Sequence, residues 1–312
     1  MPTSNDIELA LELLVQELKQ EQLVQETNLA QTQVWTMDQN AIQLAARAIA
    51  TAETILITAG AGIGVDSGLP DFRGNQGFWK IHPNYAEEGL TFSALANPRW
   101  FDTAPYRAWG FYGYRFQLYQ NTQPHSGFQI LKRWQNEATK PGFVITSNVD
   151  EHFQKAGFTS EQIYECHGSI HHLQCCTLCT RKIWKIDSLD FAIDPKNLLA
   201  SGSLPLCPDC GEVARPNILM FGDYNWLDNR ADQQRENYYQ WKETVEGCKQ
   251  VTIEIGAGSS VGGIRNSSQN MPGTLIRINP REAEGPKNTI SIAMPALAAL
   301  EAIDDLLTSL NL

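Results

Sequence analysis

The stretch TILITAGAGIG at residues 54–64 constrains the fold more than any other part of the chain. An apolar, β-branched run of this length reads as a buried strand. It passes directly into Gly60, Gly62 and Gly64, where missing side chains let backbone N–H groups approach a pyrophosphate. Upstream, Ile42, Leu44, Ala45, Ala46 and Ile49 recur at helical spacing, so the unit opens as helix, strand and glycine turn. Further strands are predicted at 142–147 (GFVITS), 251–256 (VTIEIG) and 274–279 (TLIRIN). Each is followed by polar or glycine-rich residues, as a parallel sheet with its ligand at the carboxyl edge requires. The expected fold is α/β, a doubly wound, Rossmann-like parallel sheet closed by a C-terminal helix over AMPALAALEAIDDLLTSL. The glycine turn departs from the dehydrogenase fingerprint. Val65 stands where the third glycine of G-x-G-x-x-G would fall, and no predicted strand ends in an acidic residue about 20 residues further on, which disfavours hydride transfer.

Two stretches interrupt the strand–helix alternation and are expected to form a smaller inserted lobe: an aromatic, helical one at about 72–130 and a cysteine-rich one at about 167–215. In the second, Cys176 and Cys179 are spaced C-x2-C, as are Cys207 and Cys210, so two thiolate hairpins can close a tetrahedral Zn²⁺ site. With no open position the metal would be structural; Cys175 is the one competitor for Cys176. His171 and His172 beside this cluster are read as surface or packing residues, because four thiolates already saturate zinc. Residues 1–36 form an acidic, Gln-rich amphipathic extension ahead of a domain spanning 37–312, and Met37 offers an alternative start. The balance of 24 Lys+Arg against 35 Asp+Glu, a net charge of −11, leaves no basic field for nucleic acid. Neither a membrane-spanning run nor a basic-then-apolar leader is apparent, so the expected location is cytoplasmic, and metal ligation is favoured over disulfides.

The segment GAGIGVDSGLPDFRGNQGFW (60–79) resembles the cofactor-binding loop of the sirtuins, NAD-dependent protein deacylases. The resemblance recurs in order through TSNVD (146–150), ECHGSIHH (165–172), the Cys pairs, RPNILMFGD (215–223), EIGAGSS (254–260) and IRINPRE (276–282), covering roughly residues 38–310. It implies NAD as co-substrate and a structural Zn²⁺. His167, in a His-Gly pair, would be the general base beside the nicotinamide ribose, consistent with an imidazole titrating near neutral pH. Asn148 would order the ribose and a water, and Asp150 would meet the nicotinamide carboxamide. Gly60, Ala61, Gly62, Ile63, Gly64, Ser147 and Trp79 would contribute to the cofactor pocket. Asp71 would brace the mobile loop, Phe72 would shield the reacting carbon and Arg73 would contact phosphate. Gly256, Ala257, Gly258 and Ser259 would serve the far phosphate and ribose, and Asn279 the adenosine end.

Within the aromatic insertion, Tyr112-x-x-Arg115 is similar to the Tyr and Arg with which class III sirtuins hold acidic acyl groups. An arginine fork and a phenol suit a carboxylate and go unused by acetyl, so succinyl- or malonyl-lysine on proteins is the favoured substrate, with acetyl as a further one. Two positions depart from the family pattern: Gly64 replaces a usual Ser and Ser147 a usual Gln, both beside the cofactor pocket. The competing readings are ADP-ribosyl transfer or NAD hydrolysis at the same site, and a non-catalytic NAD-sensing module.

Overall fold

The computed structural model describes residues 39–70, 85, 87–194 and 197–309. The 1–36 extension, Met37, Asp71, Phe72, Arg73 and Trp79 lie outside the described residues. Strand β1 (Thr54–Ala59) is buried along its whole length because it forms the centre of the sheet. On one side it pairs in parallel with β2 (Phe143–Thr146), which pairs with β3 (Ile163–Glu165). On the other side follow β9 (Gln250–Ile255), β10 (Thr274–Ile278) and β11 (Ile290–Ile292), again all parallel. Counting only these six strands, the order across the sheet is 3-2-1-4-5-6, the doubly wound arrangement with its switch point between β1 and β9. Strands β3 and β11, three residues each, are additions to the four strands predicted from sequence.

Side chains alternate across this sheet with period two. Ile55, Ile57 and Ala59 of β1 join one buried layer with helix α1 (39–50), helix α3 (Gly127–Glu137) and helix α6 (Ala296–Ser309). Leu56 enters the opposite layer, where Phe143 and Ile145 of β2 meet Tyr238 and Trp241 of helix α4 (Asn229–Thr244) and Ile264 of helix α5 (Gly263–Gln269). Each fully buried aliphatic side chain here stabilises the fold by about 1.5–3 kcal/mol. One ion pair sits inside the sheet: Glu254 of β9 and Arg277 of β10, register partners, are bonded at 2.7 and 2.9 Å. A third nitrogen of Arg277 donates to the Glu284 carbonyl, which ties the loop after β10 to the sheet.

The smaller lobe has its own apolar core. Helix α2 (Pro105–Asn121), preceded by short helical turns at Phe92–Leu95 and Arg99–Thr103, contributes Trp109, Phe111, Tyr112 and Phe116. An antiparallel sheet with the order β5 (Ile183–Lys185), β4 (Gly168–Cys175), β8 (Ala214–Ile218) contributes Ile170, Leu173, Ala214 and Ile218 to the same core. Strands β6 (Phe191–Ile193) and β7 (Ala200–Gly202) form a hairpin against α2, where Gly110 and Gly113 leave room for it. The two sequence insertions thus share one core. Helix α3, whose first residues fall inside the expected 72–130 stretch, packs instead on the parallel sheet. Among the described residues no helix is long and apolar enough to cross a membrane.

Candidate active site

The carboxyl ends of the central strands set the geometry. Leaving β1, Gly60 N–H donates to the Ile255 carbonyl (3.0 Å) and Gly62 N–H to the Gly256 carbonyl (3.1 Å), so the turns after β1 and β9 lie directly on one another. A Cβ on Gly62 would come within 2.6 Å of the Gly256 Cα, and one on Gly256 within 2.4 Å of the Ile63 nitrogen. Gly256 also adopts a φ of 62°, which disfavours any residue with a Cβ. These two glycines are required by the contact of backbone with backbone, before any ligand is considered. Ile63 is fully buried with its side chain in the core layer, so only its backbone faces neighbouring segments.

A cavity of about 550 Å³ opens at this edge and collects much of the expected site: Gly60, Ala61, Ser147, Asn148, Asp150, His167, Ala257 and Gly258 from the sheet edge, with Tyr112 and Arg115 from α2. Gly62, Ile63, Gly64, Gly256, Ser259 and Asn279 lie outside its lining. Ser259 is engaged by the Glu282 carboxylate through both its N–H (2.9 Å) and its hydroxyl (2.8 Å). Asn279 shapes the adjoining turn, donating to the Ala257 carbonyl and accepting from the N–H groups of Arg281 and Glu282.

Asn148 is buried, and its amide donates to the Gly60 carbonyl at 3.2 Å, while its N–H is held by the Thr146 hydroxyl at 3.0 Å. Asp150, also buried, accepts from the His152 N–H at 3.0 Å, which fixes the chain reversal after β2. His167 is half-buried and hydrogen-bonded to the Ser147 backbone. Burial holds its imidazole below the usual histidine pKa, against the opposing pull of that bond, so it is neutral at pH 7 and able to accept a proton. The residue after it must be glycine. Gly168 has a φ of 79°, and a Cβ there would lie 2.0 Å from the Asn217 carbonyl oxygen. The Leu219 N–H donates to the His167 carbonyl at 3.0 Å, and Leu219, Met220 and Phe221 of the RPNILMFGD segment line the cavity. That loop is closed by the buried Arg215–Asp223 pair at 2.7 Å.

Arg115 is 7% exposed, rare for arginine unless its donors are met. Its Nε and Nη2 donate to the Tyr119 hydroxyl at 3.1 and 2.8 Å, and the rings of Phe92, Phe111, Tyr112 and Tyr119 surround the guanidinium carbon at 5.4 to 5.7 Å. Tyr119 was not singled out from sequence; it follows Arg115 by one helical turn, a spacing that places both on one face. The Tyr112 hydroxyl is buried with no hydrogen-bond partner among the described residues, and burial raises its pKa, keeping it protonated as a donor.

In the cysteine cluster the ligand set differs from the sequence expectation. The sulfurs of Cys175, Cys179, Cys207 and Cys210 lie within 4.8 Å of one another, with Cys175–Cys210 at 3.7 Å and Cys179–Cys207 at 3.6 Å. A tetrahedron with Zn–S bonds of about 2.3 Å has S–S edges of about 3.8 Å, so these four fit zinc. Cys176 is not among them and packs against the apolar core of the small lobe, where burial pushes its thiol up to about 12. The reason is the strand: β4 runs through Cys175, and consecutive residues turn to opposite sides, so only one of the two can face the second pair. Leu178, at φ 54°, closes the resulting C-x3-C turn. His171 packs on the Phe116 ring at 4.8 Å and His172 faces Glu151 at 3.4 Å, neither joining the cluster.

Residues 60–261 match the model of the Sir2 family. The chain is 33% identical over 179 residues to an NAD-dependent protein deacylase of Thermococcus kodakarensis, an alignment covering 57% of this chain and 63% of that one. It is 36% identical over 184 residues to an NAD-dependent protein deacetylase of Saccharolobus solfataricus, covering 58% and 65%. The chain therefore spans somewhat under two thirds of the length of these relatives. Its fold superimposes on a crystal structure of a Sir2 homolog–NAD complex with a TM-score of 0.63 at 24% identity, covering 86% of this chain and 94% of that one.

Proposed function

The chain belongs to the Sir2 family, and from that membership we propose that it removes acyl groups from protein lysine side chains with NAD as co-substrate. The observation that carries this reading is a neutral His167 sharing one cavity with Asn148, Asp150 and the Gly60–Ala61 turn at the switch point of the sheet. NAD would supply an electrophilic ribose carbon and nicotinamide as leaving group; with water, the products are nicotinamide, free lysine and O-acyl-ADP-ribose. His167 would take a proton from a ribose hydroxyl, Asn148 and Asp150 would orient the ribose and carboxamide, and Leu219 to Phe221, lining the same cavity, would border the acyl-lysine segment. The four-cysteine cluster would hold a structural Zn²⁺ that joins the end of β4 to the 207–210 turn, away from the chemistry.

We further propose that the acyl group is acidic, succinyl or malonyl. The support is Arg115 and the unsatisfied Tyr112 hydroxyl on the same cavity wall, a charge-assisted donor beside a neutral one. Replacing Arg115 by Met should raise KM for a succinyl-lysine peptide about 10- to 100-fold, the worth of a hydrogen bond to a charged group, and leave an acetyl-lysine peptide within about threefold. Steady-state rates on matched peptides decide this. An equal loss on both peptides would make Arg115 structural, and a wild-type enzyme indifferent between them would remove the acidic preference.

A further inference from the structure

One side chain outside the cavity lining bridges the glycine turn to a helix 62 residues away in sequence. His125 lies just before α3, with its Nε2 2.9 Å from the Ile63 carbonyl oxygen and its Nδ1 3.0 Å from the Gly127 nitrogen. Its own N–H donates to the Ser67 hydroxyl at 3.0 Å. A carbonyl only accepts and a backbone N–H only donates, so these two contacts demand a hydrogen on Nε2 and a lone pair on Nδ1. The neutral Nε2–H tautomer satisfies both. An imidazolium would set a second N–H against that of Gly127.

The same turn is fixed on its other flanks. Gly62 N–H is bonded to Gly256, the Ile63 side chain is locked in the core, and Asp66 accepts from the Leu297 N–H at 2.8 Å. The Ile63 N–H bonds the Gly60 carbonyl at 3.2 Å, and His125 adds the side-chain bond to the Ile63 carbonyl, two residues after Ala61, which lines the cavity with Gly60. We propose that His125 is a positioning residue for the cofactor turn: its neutral ring holds the turn in its binding shape, and its protonation releases the turn and weakens NAD binding. This rests on the reading of the cavity as an NAD site.

The charged and titratable groups facing the ring are Asp66 on the turn, Glu301 on α6 and His152 on the helical turn after β2. Asp66 and Glu301 favour the imidazolium, as does the bond to Ile63, but burial outweighs them and the pKa falls below its ordinary 6.5. The ring is therefore neutral at pH 7 and charges only in acid, so the sign of the effect is a loss of affinity on acidification.

The test is calorimetric titration of the full chain with NAD at pH 7.5 and 5.5. The wild type is expected to bind more weakly at the lower pH, with a limit of about tenfold for each unit by which NAD binding lowers the His125 pKa. His125→Gln presents an amide N–H without titrating and should remove that dependence, whereas His125→Leu should bind about tenfold more weakly at both values. Persistence of the pH dependence in His125→Gln, or unchanged binding in His125→Leu, would overturn the proposal. Should the variants fold poorly, ¹⁵N correlation spectra of the wild-type imidazoles remain decisive: a protonated Nδ1 on His125 at pH 7.5 rejects it. A wild type that binds no NAD at pH 7.5 removes the NAD reading itself, a failure distinct from that of His125.

Discussion

His167→Ala is expected to lower kcat/KM for NAD-dependent deacylation by about 10²- to 10⁴-fold, the usual worth of a positioned general base. The effect should fall on kcat, with NAD affinity changed by only a few-fold, because the imidazole is anchored to the Ser147 backbone and acts on a proton. The pH profile supplies the second signature. Burial depresses the His167 pKa, so at saturating NAD the wild-type rate should be flat on the alkaline side of the depressed value and fall as pH drops through it, where the ring can no longer accept a proton. The residual activity of His167→Ala should lack that acid limb. Peptide mass spectrometry across pH 5 to 9 reads both features, and a variant within about threefold of wild type would remove His167 from the chemistry.

Cys175→Ser and Cys176→Ser are expected to behave in opposite ways, although the residues are adjacent. Cys175 stands with Cys179, Cys207 and Cys210 at thiolate–metal spacing, so its loss opens a coordination position and should remove most of the bound zinc. The apparent melting temperature should then drop by about 10 °C or more, since a chain of this size shifts about 2–4 °C per kcal/mol and zinc loss costs several. Cys176→Ser exchanges one half-buried sulfur for a hydroxyl against the small lobe's core and should keep its zinc, at about one per chain, with a loss near 1–2 kcal/mol. Metal analysis together with thermal melts distinguishes them. Zinc lost from the Cys176 variant and kept in the Cys175 variant would reverse the ligand assignment.

The sheet was readable in the chain wherever burial on both faces wrote an uninterrupted apolar run. Strands β1 and β2 carry such runs, β9 and β10 carry them broken only by the paired Glu254 and Arg277, and the four are followed by Gly60, Ser147, Gly256 and Asn279, the polar or glycine residues that a ligand-binding edge needs. Strands β3 and β11 escaped because three residues are too few to show a period. The choice between Cys175 and Cys176 went the wrong way in the sequence because C-x2-C and C-x3-C both close a hairpin, and only the length of β4 determines which sulfur faces the cluster. Tyr119 was hidden for a different reason: in a helix already crowded with Trp109, Phe111, Tyr112 and Phe116, one more aromatic residue carries no signal until its hydroxyl is seen against Arg115. Ser259 shows the reverse case, a residue whose turn was recognised correctly and whose donors are nonetheless engaged by Glu282. Sequence motifs located the edge of the sheet, whereas strand alternation and side-chain satisfaction decided which atoms reach the cavity.

The central claim is that NAD consumption is coupled to loss of an acyl group from lysine. It is tested most directly by incubating the full chain with NAD and a succinyl-lysine peptide and following nicotinamide, peptide and nucleotide product together by mass. The account predicts that nicotinamide, free-lysine peptide and O-succinyl-ADP-ribose appear in equal amounts, and that none forms when the peptide is unmodified. Nicotinamide released at the same rate with or without the acyl group would contradict it and make the site an NAD hydrolase or an ADP-ribosyl transferase.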